Sequence, residues 1–261
     1  MKSALDDVKH QVAAANRVLA DVGLTVGVTA ALGHASMRVP GRSDRFVVKG
    51  REYAIDGLAA MRPEDMVVCD TEGFLVEGPP GVSQCSEVKI HSCIYKTRPD
   101  VHAVVHVHPR YTVLMSVLQL PLVPMCQEGA ELVRRPLPVY PHIKTIQSDE
   151  EGMEVAGLLE SGGVLLLRGH GAVTAGLGLS EAVTDMLNLE EQAKMNYLAY
   201  CALGPEYPSI SDELIDEIVN RPPLYTLPHF RDVLKGRPPR REGIWNYRVS
   251  RVSQDLPSGG A

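Results

Sequence analysis

Nine histidines occur in the 261 residues, and two of them stand two apart in Val104-Val105-His106-Val107-His108-Pro109. Side chains on a strand alternate faces, so His106 and His108 project the same way. Two imidazoles on one face, where a strand ends, make half of a metal site. The same spacing also fits one histidine packed in a core and one left in solvent. A second candidate is Leu165-Leu166-Leu167-Arg168-Gly169-His170-Gly171, a histidine between glycines on a tight turn after a buried strand. This segment imitates the opening of a dinucleotide fingerprint too, although Thr174 stands at the third glycine position. The third is Ser83-Gln84-Cys85-Ser86-Glu87. There Glu87, in the first turn of a helix, can complement the helix dipole or move a proton.

Elements must hold these groups. Leu5, Val8, Val12, Ala15 and Leu19 recur at helical spacing, which predicts a helix over 4–21 that Gly23 stops. Residues 45–49 and 66–70 read as strands, and Gly78 to Gly81 as a loop. A helix is expected from about Ser83 to Thr97, with Val88, His91, Ile94 and Tyr95 on its apolar face. Residues 103–107 read as a short β-branched strand, and Pro109 opens a helix to about Gln119. After a strand at 164–167, Ser180 is the expected N-cap of a long helix with one apolar face. The last 55 or so residues are Pro-rich and read as irregular apart from a short helix near Ser211 to Val219. Trp245 is the expected anchor of that tail. Alternating strands and helices indicate an α/β layered fold.

Composition narrows the classes. Lys plus Arg is 26 and Asp plus Glu is 32, a net charge of −6. That balance argues against nucleic-acid binding, which needs a dense basic surface. The one basic run, Lys235 to Arg241, reads as a solvated tail segment. The apolar run Thr112 to Cys126 is broken by Gln119, Pro121 and Pro124, so no membrane span is expected. Five scattered cysteines form no C-x-x-C pair, which fits a reducing cytoplasm.

Taken together, the segments resemble the class II aldolase/adducin family. That group holds sugar-phosphate aldolases, an epimerase, decarboxylases and the non-enzymatic adducin head. The matching residues are Ser86-Glu87, Arg98-Pro99-Asp100, His106-x-His108 and His170-Gly171, in that order. The resemblance implies an α/β/α fold with a central, largely antiparallel sheet. It implies His106, His108 and His170 as ligands of one divalent ion per chain (Zn, Mn, Fe or Co), with Glu87 as the catalytic acid/base. It also implies a homotetramer with sites near subunit interfaces. Residues 1–205 would form the metal-lyase domain, and 206–261 a tail on the same domain or a neighbouring subunit.

The sugar-phosphate members share Gly-Asn-x-Ser and Thr-x-Ser-Gly segments and a serine pair that hold phosphate. Here His34 replaces the Asn, Phe46 to Arg51 carries no Thr-x-Ser-Gly, and the pair has become Cys85-Ser86. A cation such as Lys49 or Arg51 could restore a phosphate site. Gly33-His34-Ala35-Ser36-Met37-Arg38 looks more like the decarboxylase members, which act on hydroxylated aromatic carboxylates. An anionic small-molecule substrate is therefore expected, with His34, Ser36, Arg38, Ser86 and Tyr111 as candidate contacts. Arg38 suits a carboxylate, and a surface ion pair is its other reading. The alternatives are an aldolase or epimerase on a small hydroxy-carbonyl, and a non-catalytic adducin-like interaction domain.

Overall fold

The computed structural model describes residues 3–235 and 240–253. Helix α1 (Ala4–Asp21) is started by a capping box between Ser3 and Asp6. Strands β1 (His34–Val39), β2 (Arg42–Arg51), β3 (Met66–Asp70), β4 (Leu75–Glu77) and β5 (Ser83–Gln84) follow. Then come α2 (Val88–Thr97), β6 (Ala103–Val107), α3 (Arg110–Leu118), β7 (Val139–Tyr140), α4 (Asp149–Leu159), β8 (Val164–Leu167), β9 (Gly171–Gly176) and α5 (Leu179–Leu203). The C-terminal part adds α6 (Asp212–Val219), α7 (Pro228–Leu234) and α8 (Arg240–Val252).

The sheet runs β4-β3-β2-β1-β6-β9-β8-β7, with β5 paired to β2. Every pairing is antiparallel except β7 with β8. Strand alternation divides the core into two layers. Ala35, Val47, Val68, Val105 and Leu166 pack under α1 and α5. Phe46, Val48, Val67, Val104 and Leu165 pack on the other face, under α2 and α4. The fold is thus a three-layer α/β/α arrangement around a largely antiparallel sheet, as expected.

Three local expectations are corrected. Helix α2 begins at Val88, because Ser83 and Gln84 are drawn into pairing with Arg51 and Gly50; Glu87 is its N-cap. Helix α5 begins at Leu179 with Gly178 as N-cap, so Ser180 lies inside the first turn. The tail is more helical than its prolines suggest: Pro228 sits at the first helical position of α7, where its missing N–H is no loss. Val252 of α8 is buried, and Trp245 and Val249 pack against the α1 side of the core. The basic run from Lys235 to Arg241 lies largely outside the described residues. No helix among the described residues is long and apolar enough to cross a membrane.

Candidate metal centre

Four elements converge on one end of the sheet. His106 is the penultimate residue of β6 and pairs across to His34 of β1. His108 lies just past the strand, and His170 sits in the turn between β8 and β9. That turn needs glycine twice. Gly169 has φ +66°, and a side chain on Gly171 would meet the carbonyl of Val107 and the rings of His106 and His108. Glu87 reaches the same point from the start of α2. Glu190 of α5 fixes α3 behind His108: its carboxylate accepts from the backbone N–H of Tyr111 and of Thr112, each at 2.9 Å, and from the Thr112 hydroxyl at 2.8 Å. A carboxylate there also complements the positive end of the helix.

The ligating atoms of Glu87, His106, His108 and His170 all lie within 4.8 Å of one another. His106 Nε2 is 3.1 Å from Glu87 Oε2 and 3.2 Å from His108 Nε2, while His170 Nε2 is 3.4 Å from Glu87 Oε1. The other ring nitrogen of His106, Nδ1, lies 3.0 Å from the carbonyl of Ala172, to which only an N–H can bond. A neutral His106 therefore turns its Nε2 lone pair toward a carboxylate and a second imidazole. Such atoms repel one another unless a cation lies among them. Two nitrogens bound about 2.1 Å from one tetrahedral ion stand about 3.4 Å apart, close to the spacing found. The donor set fits a divalent metal, and the Ala172 contact is the outer support that orients a ligating imidazole.

Protonation agrees with this reading. Burial, reinforced by the neighbouring His106 and His170, pushes the His108 pKa down to about 3, so its ring is the neutral form a metal requires. For Glu87, burial alone acts upward. Protonated rings at His106 and His170 would outweigh it and hold the carboxyl below its usual range, and with neutral rings a bound cation would supply the same positive charge. Glu87 also accepts from the backbone N–H of Ile146 at 3.1 Å. A cleft of about 480 Å³ opens on His108 and His170, and Leu24, Arg110, Tyr111 and Glu190 contribute to its walls.

The other predicted residues divide. Tyr111 lines the cleft, with its ring 5.8 Å from that of Tyr197. Ser86 is exposed, next to Glu87. His34 is buried beside His106, ring centroids 5.3 Å apart. Ser36 is fully buried and bonded to His91 and Tyr95. Arg38 does not fit the carboxylate contact expected of it. Its guanidinium is buried and donates to the backbone carbonyls of Val101, Ser43, Tyr95 and Arg98, which tie α2 and the loop after it to β1. Lys49 and Arg51 are likewise engaged, Lys49 with Asp56 at 2.6 Å and Arg51 with the same carboxylate at 3.6 Å.

Two residues escaped the sequence reading. Glu190 carried no signal, because its partners are about 80 positions away. His91 carried a weak one, an imidazole on the otherwise apolar face of α2, four residues before Tyr95. His91 lies 2.6 Å from His34, and Cys85 completes a second group with ligating atoms within 4.8 Å. The dinucleotide reading of Gly169 to Thr174 is excluded: β8 and β9 form an antiparallel hairpin with no helix between them, and His170 stands beside His106 and His108.

Comparison with known proteins follows this geometry. The model of the class II aldolase and adducin N-terminal domain matches residues 10–197. A 3,4-dihydroxyphthalate decarboxylase of Terrabacter sp. is 30% identical over 206 residues, which is 76% of this chain and 83% of that protein. An L-fuculose phosphate aldolase of Methanococcus maripaludis is 30% identical over 141 residues, 54% of this chain and 74% of that protein. Among solved structures, an aldolase II superfamily protein from Pseudomonas syringae superposes with a TM-score of 0.78 at 22% identity, covering 97% of this chain and 95% of that one. With the family model spanning the strands and turns that carry all three histidines, the chain belongs to the class II aldolase and adducin N-terminal domain family.

Proposed function

We propose that this protein is a divalent-metal-dependent carbon–carbon lyase that decarboxylates a hydroxylated aromatic or related enolisable carboxylate. The observation that carries the reading is the convergence of three imidazoles and Glu87 at one end of the sheet, where His108 and His170 open on a cleft. His106, His108 and His170 would hold one ion per chain; imidazoles suit zinc, manganese, iron or cobalt. When bound, the ion withdraws electron density from substrate oxygens and so stabilises the carbanion that C–C cleavage leaves. Glu87, ionised beforehand, takes the proton of a substrate hydroxyl and returns it to the ring carbon from which CO2 departs. An interaction module has no need of such a set.

Two observations favour a carboxylate over a phosphate. The cations nearest the lost phosphate segment, Lys49 and Arg51, already share Asp56. The decarboxylase relatives also align over more of this chain than the aldolases do. An aldolase acting on a sugar-phosphate-like compound is the second reading, since the L-fuculose phosphate aldolase match is equally similar where it aligns. The same histidines and Glu87 would serve it. A homotetramer belongs to this account, with residues 1–205 as the lyase core and the tail packed on it or on a neighbour. Val117 and Ile143, 53% and 74% exposed, flank the Gly169 turn and would be covered there.

The test is a substrate panel on metal-loaded protein. CO2 release is measured from dihydroxybenzoates and phthalate-type acids, and aldol cleavage from sugar phosphates. Release of CO2 from a hydroxylated acid is expected; turnover of the phosphates alone overturns the choice of reaction.

A further inference from the structure

A row of polar side chains runs from the metal cluster into the layer under α2. His34 Nδ1 lies 2.6 Å from His91 Nε2. His91 Nδ1 lies 2.6 Å from Ser36 Oγ, and Ser36 Oγ lies 2.8 Å from the Tyr95 hydroxyl. All four residues are between 0% and 4% exposed. In such a row each buried proton must find an acceptor.

The protons can be assigned from the inner end. The Tyr95 hydroxyl meets the Val104 backbone, which acts on it as a donor, and Ser36 Oγ at 2.8 Å, so its own proton goes to Ser36. Ser36 must then place its own proton on His91 Nδ1 at 2.6 Å or on the carbonyl of Val104 at 3.5 Å. The longer contact is at the limit of a hydrogen bond, and the shorter one takes the proton. His91 Nδ1 is thus an acceptor, which leaves its proton on Nε2, donating to His34 Nδ1. His34 in turn carries its proton on Nε2. Running the row the other way leaves either the Tyr95 hydroxyl without an acceptor or Ser36 with the poor one, a costly arrangement in a buried site.

We infer that Tyr95, Ser36 and His91 fix His34 as the Nε2-protonated tautomer, a hydrogen-bond donor beside the metal cluster and not a ligand within it. A ligating nitrogen needs a free lone pair, and neither nitrogen of His34 has one. His34 and His91 are for the same reason a hydrogen-bonded pair, and their grouping with Cys85 is not a second metal site. Ser36, His91 and Tyr95 are positioning residues that act through His34. Resting on the lyase reading above, His34 serves the substrate oxygen that gains negative charge as the C–C bond breaks. A donor already oriented there stabilises that charge with no rearrangement.

The experiment records ring 15N shifts of histidine-labelled, zinc-loaded protein, and the zinc content of the same sample. His34 should be Nε2-protonated in at least about tenfold excess, with about one zinc per chain. Tyr95→Phe, which keeps the ring packing, should bring in the Nδ1-protonated form as a second set of signals. Saturating catechol should move the His34 Nε2–H resonance. An Nδ1-protonated His34 in the unmodified protein, a second zinc at this group, or a Tyr95→Phe spectrum unchanged from the parent overturns the tautomer assignment. A resonance that catechol leaves in place overturns the substrate-facing role. None of these readouts depends on turnover, so a failed substrate panel leaves the tautomer result standing.

Discussion

Glu87 is gripped from two sides, by the Ile146 N–H and by the rings of His106 and His170. The Ile146 N–H aims the carboxylate, and a cation held among the rings would keep it ionised, the state from which it can accept a substrate proton. Glu87→Gln preserves shape and the Ile146 contact but cannot cycle a proton. It should lower turnover by roughly 10²–10⁴-fold while leaving metal bound to the three histidines. Parallel metal analysis and single-substrate kinetics check this, and near-parental turnover would remove Glu87 from the chemistry. At this scale the sequence was most legible where local rules apply. His106 and His108 share a face through strand alternation, and His170 is marked by its flanking glycines. Ser36 and Arg38 were misread as substrate contacts because their partners, His91, Tyr95 and Val101, lie 55 or more positions away. No short-range pattern records such pairings.

Among the elements, the strands and helices with strong periodicity stand where the pattern puts them: α1 at Ala4–Asp21, β3 at Met66–Asp70 and β6 at Ala103–Val107. Strand β1 was not anticipated, since His34, Ser36 and Arg38 place polar groups on a face that is buried. Its burial becomes possible only once His91 and four backbone carbonyls satisfy those groups. Asn16 of α1 fastens the strand by accepting from the Ala35 N–H at 3.0 Å. The β8–β9 turn is equally exacting. Gly171→Ala forces a methyl against the Val107 carbonyl and two imidazoles. Overpacking of this kind costs about 1–3 kcal/mol. A lowered Tm together with weaker zinc binding is expected, whereas an unchanged zinc titration would show that the close approach is dispensable.

Across the whole molecule, the sheet gathers residues from positions 87, 106, 108 and 170 at one end, and the helical layers supply support from both sides. The tail closes over α1 through Trp245, Val249 and Val252, and Arg251 pairs with Asp21 at 2.9 Å. Of its helices α6 was expected near Ser211 to Val219, but α7 and α8 were illegible, because prolines dominate the reading there and the packing partner of α8 lies at the opposite end of the chain. A net charge of −6 does not draw an anion toward the protein. Attraction must be local, and Arg110, exposed on the cleft wall beside His108, is placed to provide it. The central claim is that His106, His108 and His170 hold an ion at this end of the sheet. Metal analysis of the purified protein tests it most directly. About one divalent ion per chain is expected, and His106→Ala should abolish it; full metal retention in that variant would contradict the assignment.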